Sequence, residues 1–156
     1  MITVTIQTAD FDTSAEIDAA TKSNPGIGAV ATFIGKVRGD IDGQPLQSMT
    51  LEHYPGMTEA ELMTIATTAS DRFQLEAVRI VHRVGPLTPG NNIVLVIAAA
   101  PHRKDAFDGC AYLMDYLKTH APFWKKEVTA DGQGQWVDAR QSDDTARDRW
   151  DDPQRR

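Results

Sequence analysis

From Ile93 to Ala100 the chain reads Ile-Val-Leu-Val-Ile-Ala-Ala-Ala, eight residues without a polar side chain. A strand with one wet face alternates apolar and polar residues, so this run predicts a β-strand buried on both faces. It is far too short to cross a bilayer, and its burial therefore calls for protein layers on either side.

The rest of the chain supplies elements for those layers. Ile2 to Gln7 alternates like a strand, and Thr13 with Glu16 predicts a capping box for a short helix that stops before Pro25-Gly26. Gly28 to Arg38 reads as a long strand. A polar loop follows through Gly39, Asp40, Asp42, Gly43 and Pro45, and Ser48 to His53 returns as a strand, the pair forming a hairpin with a mobile tip. Thr58 and Glu61 predict a second capping box before the helical spacing of Leu62, Ile65, Ala66, Ala69 and Phe73. Val78, Ile80, His82 and Val84 alternate as a strand, and Pro89-Gly90 marks the turn into the buried run. Ala106, Phe107, Cys110, Leu113, Met114 and Leu117 recur at steps of three and four, a helix with one buried stripe. Phe123 to Val128 and Gln135 to Asp138 read as two strands around a Gly-rich turn. Asp143 to Arg156 is charged, with a weak helix and a frayed end. This order gives an α/β or α+β domain with mixed or antiparallel pairing rather than a doubly wound parallel sheet. No internal repeat or linker interrupts it, so residues 1–150 read as a single domain and 151–156 as a disordered tail.

Chemistry concentrates around one helix break. Pro122 cannot continue a helix and pushes Ala121 toward an extended conformation, so Lys118 rides the last helical turn and Lys125 the incoming strand. Two amines can then face one pocket. Lys118 sits at the edge of the apolar stripe, flanked by Phe123 and Trp124, where partial desolvation favours the neutral amine. A lone lysine in such a place reads first as a stem snorkelling along apolar surface, and only the neighbouring residues give it a chemical role. His102-Arg103 stands where the buried strand meets a helix start, a place that attracts anions, though a solvated helix start reads equally well. Arg38 ends its strand and can fork onto a phosphate or pair with a surface carboxylate. His82, on the apolar side of its strand, reads as a core or interface histidine. Glu52 and His53 read as structural.

The formal net charge of −6 argues against nucleic acid as a partner and makes a local group of arginines and lysines suit a small anionic substrate. The N-terminus lacks a signal-peptide pattern, and the single cysteine, within the helix stripe, reads as an inert core thiol in a reducing compartment. These observations predict a cytoplasmic protein without a membrane span. Gly26-Ile-Gly28-Ala-Val-Ala31 spells a dinucleotide pattern but opens a β-branched run instead of a helix, which rejects that reading. No phosphate-cradling P-loop and no histidine pair at metal-ligand spacing occurs, so neither a metal nor a cofactor is expected.

Several segments together carry a resemblance: Phe33-Ile-Gly-Lys36-Val37-Arg38, Leu51-Glu-His-Tyr-Pro-Gly-Met57, His82-Arg-Val-Gly85, Pro89-Gly90, His102-Arg103, Met114-Asp-Tyr-Leu-Lys118-Thr, Ala121-Pro-Phe-Trp-Lys125 and Trp136-Val-Asp-Ala-Arg140. In this order they resemble the large, catalytic subunits of molybdopterin synthase, the MoaE family, over most of the chain between Gly28 and Trp150. His120 departs from the arginine common there, and the loop from Gly39 to Leu46 is variable. The resemblance implies an α/β hammerhead-type fold with an additional antiparallel β subdomain, assembled as a homodimer within a heterotetramer. It implies a sulfurtransferase that converts cyclic pyranopterin monophosphate into molybdopterin, fed by a small ubiquitin-like subunit whose Gly-Gly tail ends in a thiocarboxylate. Each visit donates one sulfur, so two visits complete one product. Lys118 and Lys125 would be catalytic. Lys36, Val37, Arg38, His102, Arg103, Lys126, Glu127 and Arg140 would join them in binding substrate, Arg140 across a dimer, and Phe33 and Met114 would line the pocket or the tail's channel. An adaptor that only docks the small partner, or a phosphoester-cleaving enzyme using the same lysines, remains open on the residues alone.

Overall fold

Strand β7 (Asn92–Ala100) lies inside a four-stranded sheet of order β1 (Ile2–Gln7), β5 (Ala77–Arg83), β7 and β2 (Ala29–Lys36) in the computed structural model, which describes residues 1–137 and 141–151. The β1–β5 pair is parallel and the other two are antiparallel. Alternation along β7 explains its composition. Val94, Val96, Ala98 and Ala100 face a core shared with helices α2 (Met57–Phe73) and α3 (Arg103–His120). Leu95 and Ile97 point the other way and join Val81, closed over by Phe11 and by Ile17 of helix α1 (Thr13–Thr21). Each fully buried Leu or Ile of this kind stabilises the fold by roughly 1.5–3 kcal/mol relative to exposure.

A second, antiparallel sheet is built from β3 (Asp40–Ile41), β4 (Gln44–His53), β8 (Phe123–Thr129) and β9 (Gly134–Val137), with β6 (Gly85–Leu87) paired to β4 as well. Val37, Leu46, Met49, Leu51 and Leu87 form its own small core. The chain thus has the mixed α/β architecture with an added antiparallel subdomain that the resemblance implies.

The hairpin expected between Gly28–Arg38 and Ser48–His53 does not form. β2 gives its ladder to β7, and β4 pairs with β8 and β6 in the other sheet. The local hairpin is β3–β4, closed by Asp42 at φ 50° and Gly43 at φ 80°, the two positive values a tight two-residue turn requires. Neither capping box forms where the sequence places it. Asp12, not Thr13, caps α1, its Oδ1 accepting from the Ala15 N–H at 3.0 Å, while Glu16 leaves for Arg79 at 2.6 Å. At α2 the Gly56 N–H donates to Glu59 at 2.6 Å, and the Thr58 hydroxyl donates to the Tyr54 carbonyl at 2.9 Å. In each case a carboxylate one or two residues before the expected partner accepts from a free N–H group at the helix entry.

The α2 stripe is buried as its spacing predicts, whereas Phe107 on α3 is 67% exposed. Gly109 explains the rotation. A Cβ there would lie 2.8 Å from Leu75 Cδ2, so glycine lets α3 approach Leu75 without displacing it, with Ala106, Gly109, Cys110, Leu113 and Leu117 inward. Phe107 and Lys118, eleven residues and about three turns apart, then share the stripe's outer edge.

The charged C-terminal stretch is anchored. After α4 (Gln141–Asp148), Trp150 in a 3₁₀ turn is buried against Phe73 and Tyr112, edge-on at 5.5 and 5.6 Å. Its indole N–H donates to Asp115 at 2.7 Å, and Arg72 donates to its carbonyl at 2.7 Å. Residues 152–156 of the expected tail lie outside the described residues, and so does Asp138 of the last expected strand. Among the described residues no helix is long and apolar enough to cross a membrane. Removing the indole should cost about 3–5 kcal/mol, the range for large aromatic deletions from a core. Urea denaturation of Trp150→Ala should therefore show a lower midpoint at an unchanged slope, and an unshifted midpoint would mean that this stretch is not part of the cooperative unit.

Candidate active site

Helix α3 ends at His120, and the residue before Pro122, Ala121, is extended at φ −70°, ψ 133°. The chain turns there into β8, which opens a cavity of about 480 Å³ between the two sheets. Lys118 from the last turn of α3 and Lys125 from β8 both border it.

Register decides which β8 side chains reach the cavity. Lys125 lies opposite Leu51 and Glu127 opposite Met49, so these four share the face that lines it. Lys126 falls on the other face, opposite Thr50 and exposed Trp136, and is itself exposed. Glu127 is 3% exposed, and its carboxylate holds the Lys125 ammonium at 3.2 Å. A buried carboxylate needs such a partner, which also fixes where the amine sits.

At the end of β2, Lys36 and Arg38 border the cavity while Val37 between them turns into the second core at 3% exposure. Lys36 is tethered, its ammonium donating to Asn92 Oδ1 at 3.0 Å. Among the described residues, four cationic groups therefore face one carboxylate, a positive cavity on an acidic chain that will concentrate anions. Phe33, Phe123 and Trp124 add aromatic surface. Trp124 is held by its indole N–H donating to Glu52 at 3.0 Å and by Tyr54, 4.8 Å away between ring centroids. Glu52 is structural, as its place in the sequence suggests.

Other candidates stand apart. His102 and Arg103 open α3, fifteen residues or about 22 Å along the helix from Lys118, and do not line this cavity. Met114 is buried in the main core beside Cys110, whose thiol is pushed up to about 11 by burial and stays protonated. Lys118 is exposed, so this chain alone does not desolvate it as its apolar neighbours suggest. Arg140 lies outside the described residues. Among the described residues no three metal-ligating side chains converge.

The sequence did not single out His82 as a cavity residue. It is 4% exposed, stacked on Phe123 at 3.7 Å and 14°, and reaches the cavity edge. The signal was present in Val78-Ile80-His82, where a polar residue takes an apolar strand's inward position. Burial, the dominant cause, holds its pKa down at about 4, and the positive charge of Lys118 and His53 act in the same direction, against the bond to the Arg83 carbonyl.

The family model described as MoaE protein matches residues 6–120. A molybdopterin synthase catalytic subunit from Rhizobium meliloti is 52% identical over 150 residues, covering 96% of each chain. The solved structure of a molybdopterin biosynthesis MoaE protein from Burkholderia ambifaria superposes with a TM-score of 0.83 at 54% identity, covering 97% of this chain and 99% of that one. A molybdopterin synthase structure from Staphylococcus aureus gives 0.79 at 31% identity, covering 85% and 94%.

The depressed His82 pKa links stability to pH. The unfolded chain protonates this imidazole near pH 6.5, whereas the folded protein keeps it neutral down to about pH 4. Its contribution is complete above pH 6.5 and is lost as pH falls through that window, by roughly 3 kcal/mol in all. Urea unfolding at pH 7 and pH 4 should show this loss in the wild type beyond that of His82→Gln, and equal losses in the two proteins would refute the linkage.

Proposed function

The chain belongs to the MoaE family, and on that premise we propose that it works as the catalytic subunit of a molybdopterin synthase. It is a sulfurtransferase that converts cyclic pyranopterin monophosphate into molybdopterin, with sulfur delivered as the C-terminal thiocarboxylate of a small ubiquitin-like subunit. The observation that carries this reading within the chain is the cavity where Lys118 and Lys125 meet from separate elements. Its volume suits a pterin-sized ligand, its aromatic walls suit a planar ring, and its excess of cations suits a cyclic phosphate and an incoming thiocarboxylate.

Lys118 works at the partner's terminal carbonyl, polarising it or moving a proton as sulfur leaves for the pterin. Lys125, held by Glu127, stabilises negative charge as the cyclic phosphate opens. Lys36 and Arg38 anchor the phosphate, Val37 fixes their direction from the core behind, and Phe33 borders the path of the tail. A Gly-Gly end has no side chains to clash within such a path. The need to keep the half-sulfurated intermediate through two partner visits is the reason for so many anion contacts.

The assembly is a homodimer carrying two small subunits. Within one chain His102 and Arg103 are about 22 Å from Lys118 along α3, so a second copy supplies the anion-binding end that completes a substrate site. Arg140 acts from across that interface, Lys126 contacts substrate or partner from the outer face of β8, and Met114 supports the channel from behind Lys118. The enzyme works in the cytoplasm, using no metal and no resident cofactor.

The test is incubation with cyclic pyranopterin monophosphate and thiocarboxylated small subunit, beside an unthiolated control, with masses followed for pterin and partner. Sulfur should reach the pterin only with the thiocarboxylate. Partner binding without transfer would instead indicate an adaptor, and phosphate opening in the control a phosphoester enzyme. Lys118→Ala should remain folded and lose about 10²–10⁴-fold in turnover, the usual range for a positioned acid or base, and normal turnover would remove Lys118 from the mechanism.

A further inference from the structure

Behind the cavity a chain of hydrogen bonds runs from Lys36 into the loop between β1 and α1. The Lys36 ammonium donates to Asn92 Oδ1 at 3.0 Å, and the Asn92 amide nitrogen donates to Asp10 Oδ1 at 3.1 Å. An ammonium only donates and a carboxylate only accepts, so the amide has one workable orientation, with its oxygen toward Lys36. The Phe11 N–H donates to the same Asp10 oxygen at 2.8 Å and fixes the carboxylate in turn. Lys36 borders the cavity, whereas Asn92 and Asp10 do not.

Two further features bring these residues together. Arg83 ties the two backbones, donating from Nε and Nη2 to the Thr8 carbonyl, each at 3.1 Å, and from Nη1 to the Asn92 carbonyl at 3.1 Å. The β2–β7 ladder also slips, from Gly35 opposite Val94 to Lys36 opposite Asn92, and passes over Ile93. An irregularity of this kind re-aims a side chain, and here it sets Lys36 beside the polar Asn92 instead of the apolar Ile93. Gly35 stands at the slip, where a Cβ would lie 2.9 Å from Val94 Cγ1.

We propose that Asn92, locked by Asp10, is a positioning residue for Lys36: it fixes the direction in which the ammonium enters the cavity and so sets how tightly the substrate's phosphate is held. This rests on the reading of Lys36 as a phosphate anchor given above. A neutral amide suits the task. It directs an ammonium without cancelling the charge that draws in the anion, whereas Glu127 offsets part of the charge on Lys125. An ammonium has three N–H groups, so the bond to Asn92 leaves donors for phosphate oxygens. Lys36 is exposed, and an unguided lysine there would spread over many rotamers; the amide removes that freedom before substrate arrives.

Asp10→Ala and Asp10→Asn both remove the carboxylate charge, but only the asparagine keeps an oxygen for the Asn92 amide. In calorimetric titration with cyclic pyranopterin monophosphate, Kd should rise about 3–10-fold in Asn92→Ala and in Asp10→Ala and stay within about two-fold in Asp10→Asn. In the sulfur-transfer assay the same losses should fall on KM rather than kcat. In a Lys36→Met background neither Asn92→Ala nor Asp10→Ala should weaken binding further, because both act through the ammonium. An unchanged Kd in Asn92→Ala, equal losses in the two Asp10 variants, or additive losses in the Lys36→Met background would overturn the proposal. Asp10 lies on the surface, so its two variants carry the test even if Asn92→Ala does not fold. NMR gives a reading that needs no substrate: the Asn92 side-chain amide resonances should move in Lys36→Met, and unmoved resonances would refute the contact. Should the wild type bind no pterin, the phosphate-anchor reading fails, while these resonances still decide whether Asn92 holds Lys36.

Discussion

Burial of β7 on both faces is the constraint from which the architecture follows. A strand with no polar side chain over eight residues has to be internal to its sheet and covered above and below, and β5 and β2 flank it while α2, α3 and α1 supply the covers. The same strand locates the site. Its first residues, Asn92 to Val94, tether Lys36 and border the cavity, and its last leads into α3, which carries Lys118 back to that cavity. A helix of eighteen residues spans about the length of the strand it returns along, so the active end of α3 comes to rest beside the strand's start.

Electrostatics in the cavity follow from what each charge is paired with. Lys125 has a buried carboxylate partner, Lys36 a neutral amide, and His82 stays uncharged because burial makes its protonated form too costly. The outcome is a net positive cavity in a chain of net charge −6. A dispersed set of basic residues in the sequence becomes one local field only because the ends of β2 and α3 meet the start of β8.

Much of the fold was legible in the sequence because one-dimensional periods report local burial. The α2 stripe of Leu62, Ile65, Ala66, Ala69 and Phe73 is buried throughout, and Pro122 ends α3 where its chemistry requires. Expectations failed where local chemistry allowed two answers. Thr13 and Thr58 both qualify as caps, yet Asp12 and Gly56 were a residue or two nearer the chain's entry. Phe107 fits the helical spacing, but Gly109 allows α3 to approach Leu75 on a face that leaves Phe107 in water. Strand pairing failed similarly, since adjacent strands in sequence suggest a hairpin and nothing local says that β2 prefers β7.

The sequence by itself determined that β7 would be internal, that the chain would break at Pro122 between two lysines, and which family the chain resembles, because these depend on side-chain type and on spacing along the backbone. Only the tertiary structure decided that Glu127 would pair with Lys125, that Lys126 would face away, that His102 and Arg103 would sit at the far end from Lys118, and that His82 would border the cavity. Those outcomes depend on strand register and helix direction. A shift of one residue in the β8 ladder would exchange Lys125 for Lys126, and the energy that fixes the register comes from Met49, Leu51 and Leu87 packing beneath it, residues distant in the chain from every group they position.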